Sequence, residues 1–311
     1  IKMAPVFLTE ESPTYGVVQS VSPMVRRIVA KNPSKFTYHG TGTYIIGDPN
    51  GNELAVIDPG PRDDAHLAAL LDAVGNKNVS HILVTHTHPD HSPSATSLSE
   101  ITSAPTYGFG KHPLAATKKS DDVDETQQDD LEDRGDTDFV PDVEIGNGDV
   151  IVGQGFTFEA LHTPGHISNH LCFSLEEEST LFTGDHVMGW STTVIPAPDG
   201  NLSHYLSNLR RLLERSEMIY RPTHGPAIEN PLPFVNSLIE HREERTTQII
   251  AAINREPKTV KELVNDIYSD VDESLHKAAG SSVYAHLLDL ARIGVVSADP
   301  DFDINAEWRV K

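Results

Sequence analysis

Four side chains that bind transition metals lie together in one short segment of the chain. The segment Thr85–Ser92 reads Thr-His-Thr-His-Pro-Asp-His-Ser, and its H-x-H-x-D-H pattern falls on His86, His88, Asp90 and His91. Histidine accounts for 16 of the 311 residues, so a single histidine means little, whereas three with an aspartate at this spacing predict a metal site. Imidazole and carboxylate ligands suit zinc, iron or manganese better than calcium or magnesium.

The local pattern also suggests how these side chains divide between two ions. Residues 79–85 are largely apolar and predict a short buried strand that ends at the motif. His86 and His88 alternate at the strand period, so they point the same way. Asp90 and His91 follow a proline, which predicts a turn and lets them face elsewhere. One segment can therefore contribute to two metal ions from a loop, where sites commonly lie.

Each ion needs at least three protein ligands, so further ligands are expected downstream. Three later segments share one pattern, in which an apolar run is followed by a turn and then by a histidine or an aspartate. They are Leu161–His166, with Thr-Pro-Gly-His at its end, Thr180–His186, with Gly-Asp-His, and Ile219–Pro226, with Thr-His-Gly-Pro.

This ordered set of motifs resembles the metallo-β-lactamase superfamily between about Gly40 and Gly225. The resemblance implies an α/β (α+β) fold, the αββα sandwich of that superfamily. It also implies the ligands of two ions: one ion held by His86, His88 and His166, a second held by Asp90, His91 and His224, and a bridging carboxylate from Asp185.

Two further residues are candidates for supporting the ligands from behind. Asp58, at the end of the apolar segment Leu54–Gly60, matches an aspartate that orients ligand histidines in that superfamily. A plain turn aspartate before Pro-Gly is the alternative for Asp58, and His170 is the second supporting candidate. Asp90 and Asp185 are the expected catalytic residues, and Asp90 can hold or orient the proton of the nucleophile.

Composition predicts a cytoplasmic protein with one large domain and one small one. The chain has 311 residues, of which 38% are hydrophobic, and the sequence holds no apolar run of the length that spans a membrane. Its start carries no apolar signal-peptide region. The single cysteine, Cys172, excludes an internal disulfide framework and is expected in the core.

Charge restricts the expected partners. The net charge is −22, and residues 120–144 alone contain 12 acidic residues and one basic residue. We interpret an insertion at about 115–142 as a solvated surface segment, with a loop beside the active site as the alternative. The acidity disfavours strong binding of duplex nucleic acid. Two metal cations in the site still allow an anionic substrate, since exposed charges beyond about 8 Å are largely screened.

Periodicity predicts the elements that position the motifs. Leu67, Leu70, Leu71 and Val74 recur at helical spacing over Asp64–Val74. A second helix, with Ser203 as its N-cap, is expected to run to about Met218, and a third is expected over Pro233–Asn254. Strands are expected at 80–85, 105–108, 150–162, 171–175 and 180–184.

The tail predicts a small second domain. Thr259 begins a capping box for a helix to about Tyr268, a second helix starts at Ser281 or Ser282 and stops at Gly294, and residues 295–310 read as a hairpin. This order resembles the winged helix of the β-lactamase-like protein 2 group, whose pattern also includes the HR-x-x-R motif at 241–245. We therefore expect a catalytic domain at 1–245 and a winged-helix-like domain at 246–311.

The tail is not expected to bind DNA. Residues 246–311 carry seven basic and 11 acidic residues and show no basic stripe. Packing or shaping of the substrate site is the favoured role. Trp190, which follows the Gly-Asp-His turn, either lines the pocket or packs in the core.

The predicted reaction is hydrolysis by a binuclear zinc site, with iron or manganese as alternatives. Water bridging two metal ions is deprotonated near neutral pH and can attack a polarised electrophile. Class B β-lactamases usually carry Cys or Ser where Asp185 stands, which argues against β-lactams. Single-stranded RNA is the first expected substrate, and thioesters, small esters or lactones, as in glyoxalase II, are the next. A one-iron persulfide dioxygenase and a nucleic-acid-binding regulator with a relic metal site are the remaining alternatives. The oligomeric state stays open.

Overall fold

Two β-sheets face each other in the structure, a computed structural model that describes residues 5–113, 135–269 and 272–311. Within those ranges the larger sheet has seven strands in chain order, namely β1 (Gln19–Ser20), β2 (Val25–Val29), β3 (Gly42–Ile46), β4 (Glu53–Ile57), β5 (Asn78–Leu83), β6 (Thr106–Gly108) and β7 (Val143–Glu144). The five described strands of the smaller sheet are β8 (Val150–Gly153), β9 (Phe156–His162), β10 (Leu171–Leu175), β11 (Thr180–Gly184) and β12 (Ile219–Pro222). They lie in the order β12-β11-β10-β9-β8.

The strand directions bring one set of strand ends to a single edge. Strands β4 to β7 are parallel to one another, and β11 is parallel to β12. Because β9 and β11 are both antiparallel to β10, they share a direction. The loops that follow β4, β5, β9, β11 and β12 carry all the residues predicted for the metal site. A scaffold of this kind positions functional loops.

Apolar side chains fill the space between the sheets and beneath the helices. Phe158, Phe173 and Phe182 of the smaller sheet meet Tyr44 and Ile57 of the larger one. Two helices cover the outer face of each sheet: α1 (Asp64–Val74) and α2 (Pro93–Thr102) on the larger, α3 (Leu202–Leu212) and α4 (Pro231–Ile253) on the smaller. The expected αββα sandwich is therefore confirmed. In the described part of the chain, no helix has the length and apolar character needed to cross a membrane.

The C-terminal residues build a second, smaller core. It contains α5 (Val260–Ile267), α6 (His276–Arg292) and a hairpin of β13 (Val296–Asp299) and β14 (Glu307–Val310), packed around Trp308. The predicted order of two helices and a hairpin is confirmed, and so is the capping box at Thr259. Helix α4 runs through residue 245 without a break, and its Ile249 and Ile253 join the C-terminal core. The division at 245/246 falls inside this helix and stays a prediction.

Two predicted elements differ from the structure because of local turn chemistry. The single strand expected at 150–162 is the hairpin β8–β9, since Gly155, at φ +82°, makes the turn between them. The helix expected to follow a cap at Ser203 and to reach Met218 is α3, which begins at Leu202 and ends at Leu212, so the predicted cap is wrong. Asn201 caps it by accepting a 3.0 Å hydrogen bond from the backbone N–H of His204.

Tertiary packing explains why α6 begins earlier than expected. It starts at His276, not at Ser281 or Ser282, and passes through Gly280. A Cβ at Gly280 would lie 3.7 Å from Val260 Cγ1, so the glycine is where α6 meets α5. Burial of Val283 and Leu287 of α6 in one core with Leu263 of α5 outweighs the low helix propensity of glycine.

The acidic stretch 120–144 lies mostly outside the described residues, which resume at 135. In its described part, Asp136 accepts a 2.7 Å hydrogen bond from Ser92 Oγ. The backbone N–H of Asp136 donates to the carbonyl of Thr87 at 2.7 Å. The described part of the acidic stretch therefore contacts the H-x-H-x-D-H loop at Asp136.

Candidate metal centre

Seven side chains from four loops converge at the edge where the strands end. Six of them are buried and Asp90 is half-buried, so their polar atoms must find partners within the protein or in a bound ion. The loop after β5 supplies four, and the loops after β9, β11 and β12 supply one each. The seven are His86, His88, Asp90, His91, His166, Asp185 and His224.

Three histidines form the first group. His88 Nδ1 lies 2.9 Å from His86 Nε2 and 2.9 Å from His166 Nε2. All three ligand atoms lie within 4.8 Å of one another. Three imidazole nitrogens that converge in this way can hold one face of a zinc ion and leave another face open.

Asp90, His91 and His224 form the second group. Asp90 Oδ2 lies 3.0 Å from His224 Nε2 and 3.4 Å from His91 Nε2. Thr41 Oγ1 donates to the same oxygen at 3.4 Å. Two imidazoles and one carboxylate are a second ligand set suited to a transition metal.

Asp185 lies between the two groups. Its Oδ1 is 3.5 Å from His224 Nε2 and 3.6 Å from His91 Nε2, while its Oδ2 is 3.8 Å from His166 Nε2. The two oxygens of one carboxylate thus face different groups, which allows Asp185 to bridge two ions. The assignment of these seven side chains as ligands stays a prediction.

Asp58 supports both groups from behind, at a backbone φ of +48° that non-glycine residues rarely adopt. Its Oδ2 lies 2.8 Å from His91 Nδ1 and accepts from the hydroxyls of Thr85 and Thr223, each at 2.8 Å. Thr85 Oγ1 in turn lies 3.0 Å from His86 Nδ1. One buried carboxylate therefore orients side chains of both groups, as the outer partners of metal ligands do.

Backbone carbonyls fix two more rings. His166 Nδ1 donates to the carbonyl of Val194 at 2.6 Å, and His224 Nδ1 donates to the carbonyl of Gly40 at 3.2 Å. Because a carbonyl only accepts, the proton of each neutral ring sits on Nδ1. Nε2, the atom that faces the other candidate ligands, is then free to coordinate.

His170 also lies behind the site. Its Nε2 accepts a 3.1 Å hydrogen bond from the backbone N–H of Asp185, and its Nδ1 lies 2.9 Å from Thr163 Oγ1. Gly184, at φ +50°, leaves room for this ring, since a Cβ there would come within 2.6 Å of His170 Nε2. His170 thus holds the backbone that presents Asp185.

Burial and neighbouring charges set the protonation of the candidate ligands. Burial, together with adjacent histidines, holds the pKa of His86 and of His88 well below the usual range, so both rings are neutral. Burial alone would raise the pKa of Asp90 and of Asp185, but His91 and His224 lower both. Burial alone would lower the pKa of His91 and of His224, but Asp90 and Asp185 outweigh it and raise both. Neutral imidazole and ionised carboxylate are the forms that bind metal, so His91 and His224 would each release a proton on binding it.

Two buried polar atoms of the site lack a hydrogen-bond partner in the described structure, and their positions show whether a metal would fit. They are His91 Nε2 and Asp185 Oδ1, which lie 3.6 Å apart and face the second group. An unpaired buried acceptor costs about 1–3 kcal/mol. A cation between the two atoms satisfies both, and five histidines with two carboxylates suit zinc, iron or manganese.

An aromatic pair flanks the segment that carries His224. The rings of Tyr38 and Trp190 stack at a centroid distance of 5.0 Å and an angle of 25°. A Cβ at Gly225 would lie 2.5 Å from Trp190 Cδ1, so the indole packs directly on the backbone beside His224. Trp190 is half-buried. It therefore neither sits fully in the core nor stands free in solvent.

Three threonines that support the histidines lie outside the set of residues predicted for the site. Thr85, Thr163 and Thr223 are buried, and their hydroxyls contact His86, His170 and Asp58 respectively. A signal for them existed, because a threonine directly precedes or closely follows a histidine in each of these segments at the end of a strand. Their hydrogen bonds were not readable, since they depend on loops that meet only in the fold.

The fold and the site together define the class of the protein. The model of the Metallo-beta-lactamase superfamily matches residues 39–224, and that of the Beta-lactamase associated winged helix domain matches residues 259–308. The chain belongs to the metallo-β-lactamase superfamily and carries the associated winged helix.

Individual relatives extend the similarity over most of the chain. An atrochrysone carboxyl ACP thioesterase from Claviceps purpurea is 29% identical, over 87% of this chain and 81% of its own length. A beta-lactamase-like protein 2 homolog from Caenorhabditis elegans is 28% identical, over 92% of this chain and 90% of its own. The crystal structure of a beta-lactamase domain protein from Burkholderia ambifaria superposes with a TM-score of 0.78 at 22% identity, covering 96% of this chain and 95% of that one.

Proposed function

We propose that this protein is a binuclear metallohydrolase that cleaves acyl thioesters. The observation that carries the binuclear centre is the position of Asp185, whose two oxygens face the two groups of candidate ligands. His86, His88 and His166 would hold one ion, and Asp90, His91 and His224 the other. Zinc is the proposed metal, with iron and manganese as the alternatives that the same donor atoms suit.

The residues around the centre have separate tasks. When bound, two such ions lower the pKa of water and polarise a carbonyl oxygen. Asp90 is ionised, since His91 and His224 lower its pKa against the effect of burial, and it is the half-buried member of the site. Its carboxylate can therefore orient a proton by accepting a hydrogen bond at Oδ1, while Oδ2 is held by His224 and Thr41.

Leaving-group chemistry favours a thioester. A thiol has a pKa near about 8.5, so it departs as a thiolate without help from a proton donor. The alkoxide that leaves from RNA is far more basic and depends more on acid catalysis. The relative from Claviceps purpurea is named a thioesterase and aligns over 87% of this chain, which supports the same class of substrate here.

RNA is the second candidate, because the tail resembles the β-lactamase-like protein 2 group, and that resemblance implies single-stranded RNA as a substrate. A relative from Caenorhabditis elegans carries the name of this group. Single-stranded RNA is the first substrate expected from the sequence, but the charge of the protein favours placing it after thioesters. RNA binding draws much of its affinity from basic side chains on phosphates. The chain carries a net charge of −22, and its winged-helix region is itself acidic.

Metal analysis tests the centre. Protein reconstituted with zinc and freed of excess metal should retain about two equivalents per chain. The matched control is the His86→Ala/His88→Ala variant, which removes two candidate ligands of the first group and should retain fewer. Wild type without bound metal under these conditions contradicts the proposed centre.

A substrate panel tests the reaction. Zinc-loaded wild type should release free thiol from S-lactoylglutathione or from acyl-CoA and acyl-carrier thioesters, and the His86→Ala/His88→Ala variant should not. A short single-stranded RNA is tested in parallel with both proteins. RNA cleavage by wild type alone, without thioester turnover, would put the RNA candidate first. Equal RNA cleavage by both proteins would identify a contaminating nuclease.

A further inference from the structure

A buried arginine of the winged-helix junction reaches the backbone behind the candidate metal centre. Arg242 on α4 is only 2% exposed. Its Nη1 donates to Ser282 Oγ on α6 at 2.7 Å, and its Nη2 donates to the carbonyl of Thr193. Its guanidinium carbon also lies 5.6 Å from the centre of the Tyr205 ring. One side chain thus links α4, α6 and the backbone of Thr193.

The segment that Arg242 holds is the one that orients two of the proposed ligands. Thr193 Oγ1 donates to the carbonyl of Asp185 at 2.6 Å and to that of His186 at 3.1 Å. The next residue, Val194, accepts the 2.6 Å hydrogen bond from His166 Nδ1. Two consecutive residues of one loop, Thr193 and Val194, therefore hold the backbone of Asp185 and the ring of His166.

Tyr205 adds a second contact between Arg242 and the same region. It is fully buried on α3, and its backbone packs on Gly165, where a Cβ would lie 2.5 Å from Tyr205 Cα. Gly165 directly precedes His166. A shift of the Arg242 side chain would therefore act on His166 from two sides, through Val194 and through Tyr205.

We propose that Arg242 is a positioning residue for the metal centre and that it makes the C-terminal domain a structural part of the site. It holds the Thr193 carbonyl, and the 193–194 segment then orients His166 and the backbone of Asp185. The planar guanidinium suits this task, because its rigid fork donates to two acceptors at fixed angles, which a lysine ammonium does not. The partners of Arg242 are a hydroxyl and a carbonyl and not a carboxylate. Its contribution is therefore to fix geometry and not to form an ion pair.

Arg245, one helical turn later on the same helix, provides a matched control. Its Nη1 donates to Gln248 Oε1 at 2.7 Å and to the carbonyl of Ile267 at 3.4 Å. Its guanidinium carbon lies 4.5 Å from the centre of the Tyr268 ring. These partners belong to α4 and the C-terminal domain and hold no proposed ligand. Replacing Arg245 therefore disturbs the same junction without touching the 193–194 segment.

The experiment compares Arg242→Met with Arg245→Met in the full chain. Zinc dissociation constants are measured by competition with a chromophoric chelator. Arg242→Met should raise at least one of them about tenfold, the effect typical of losing an outer partner of a ligand. Arg245→Met should leave both constants near the wild-type values, although both variants should lower the midpoint of thermal unfolding. Equal zinc affinity in the two variants would overturn the inference.

Two further measurements keep the test decisive. If Arg242→Met does not fold, Arg242→Lys is compared with Arg245→Lys, and only the first should raise a zinc dissociation constant. Hydrogen–deuterium exchange of metal-free protein gives a readout that needs no metal, and residues 186–196 should exchange faster in the Arg242 variant than in the Arg245 variant. The inference rests on the metal centre proposed above. Wild type that binds no zinc contradicts that centre, whereas unchanged exchange at 186–196 contradicts the role of Arg242.

Discussion

Asp58 Oδ2 lies 2.8 Å from His91 Nδ1, and neither side chain has any exposed surface. The same carboxylate also accepts from the backbone N–H of Thr85 at 2.8 Å and from two threonine hydroxyls. It therefore acts as a common acceptor for the loops after β5 and β12. Because it orients His91 directly and His86 through Thr85, its loss should disturb both proposed ions together.

Asp58→Asn should weaken zinc binding by about 10–100-fold, the usual cost of losing an outer partner of a ligand. An amide has one acceptor oxygen, so part of the donors around Asp58 would face an NH₂ group instead. Chelator competition measures the effect. The control is Asp63→Ala, which removes the N-cap of α1 and should cost about 1 kcal/mol of stability without changing zinc affinity. Unchanged zinc affinity in Asp58→Asn would make Asp58 a plain turn residue.

Asp185→Ala should reduce both the zinc content and the activity. Its two oxygens face the two groups, so the variant leaves each proposed ion one ligand short. It also leaves two cations about 3.5–4 Å apart without the carboxylate between them. Elemental analysis and thiol release measure the two effects.

The control for Asp185 is His81→Ala. His81 lies on β5, half-buried against Tyr107 and Phe156 and outside the groups of candidate ligands. Its variant should retain the zinc content and most of the activity. Two bound zinc ions with full turnover in Asp185→Ala would contradict the bridging position.

The sequence predicted best those elements whose ends are marked by local chemistry. The bounds of α1, β10 and β11 agree residue for residue with the expected ranges. Asp63 caps α1, and the short segment 176–179 separates the two strands. The motif residues were also identifiable, because the order of their loops along the chain is characteristic.

The supporting contacts could not be predicted from the sequence in the same way. Arg242 is 49 positions from Thr193 and 40 positions from Ser282 along the chain, and nothing local marks them as partners. Gly280 shows the same limit for secondary structure, because α6 continues through this glycine where its apolar side chains share a core with α5. Such contacts depend on how distant elements meet.

Cys172 should be unreactive until the protein unfolds. Burial raises the pKa of its thiol to about 12, and the side chain has no exposed surface. The thiolate is the reactive form, so both its population and its access are very low in the native state. A chromogenic disulfide reagent should therefore modify about one thiol per chain in denaturant and almost none without it. Because the chain has a single cysteine, the signal is unambiguous, and fast modification of folded protein would contradict the buried position.

His286 should make the stability of the protein depend on pH below about 6.5, the usual pKa of histidine. Burial, with Arg242, His241 and Arg245 nearby, holds the pKa of His286 well below that value in the folded state. As the pH falls, the unfolded chain takes up a proton that the folded chain does not. The stability that the neutral His286 ring contributes is therefore complete above about pH 6.5. It is lost as the pH falls from there toward the lower pKa of the folded state.

His286→Gln should remove this part of the pH dependence. Between pH 6.5 and 5.5, wild type should lose about 1 kcal/mol more stability than the variant, as follows from proton linkage. Denaturant unfolding of metal-free protein measures the difference, and chelation removes the effect of zinc on the other buried histidines. The control is His204→Gln on α3, an exposed position where water surrounds the ring in both states, so it should follow the wild-type profile. Parallel loss of stability in His286→Gln and wild type as the pH falls would contradict this prediction. It would mean that His286 is protonated in the folded protein and that a negative charge balances it, which the hydroxyl of Thr246 does not supply.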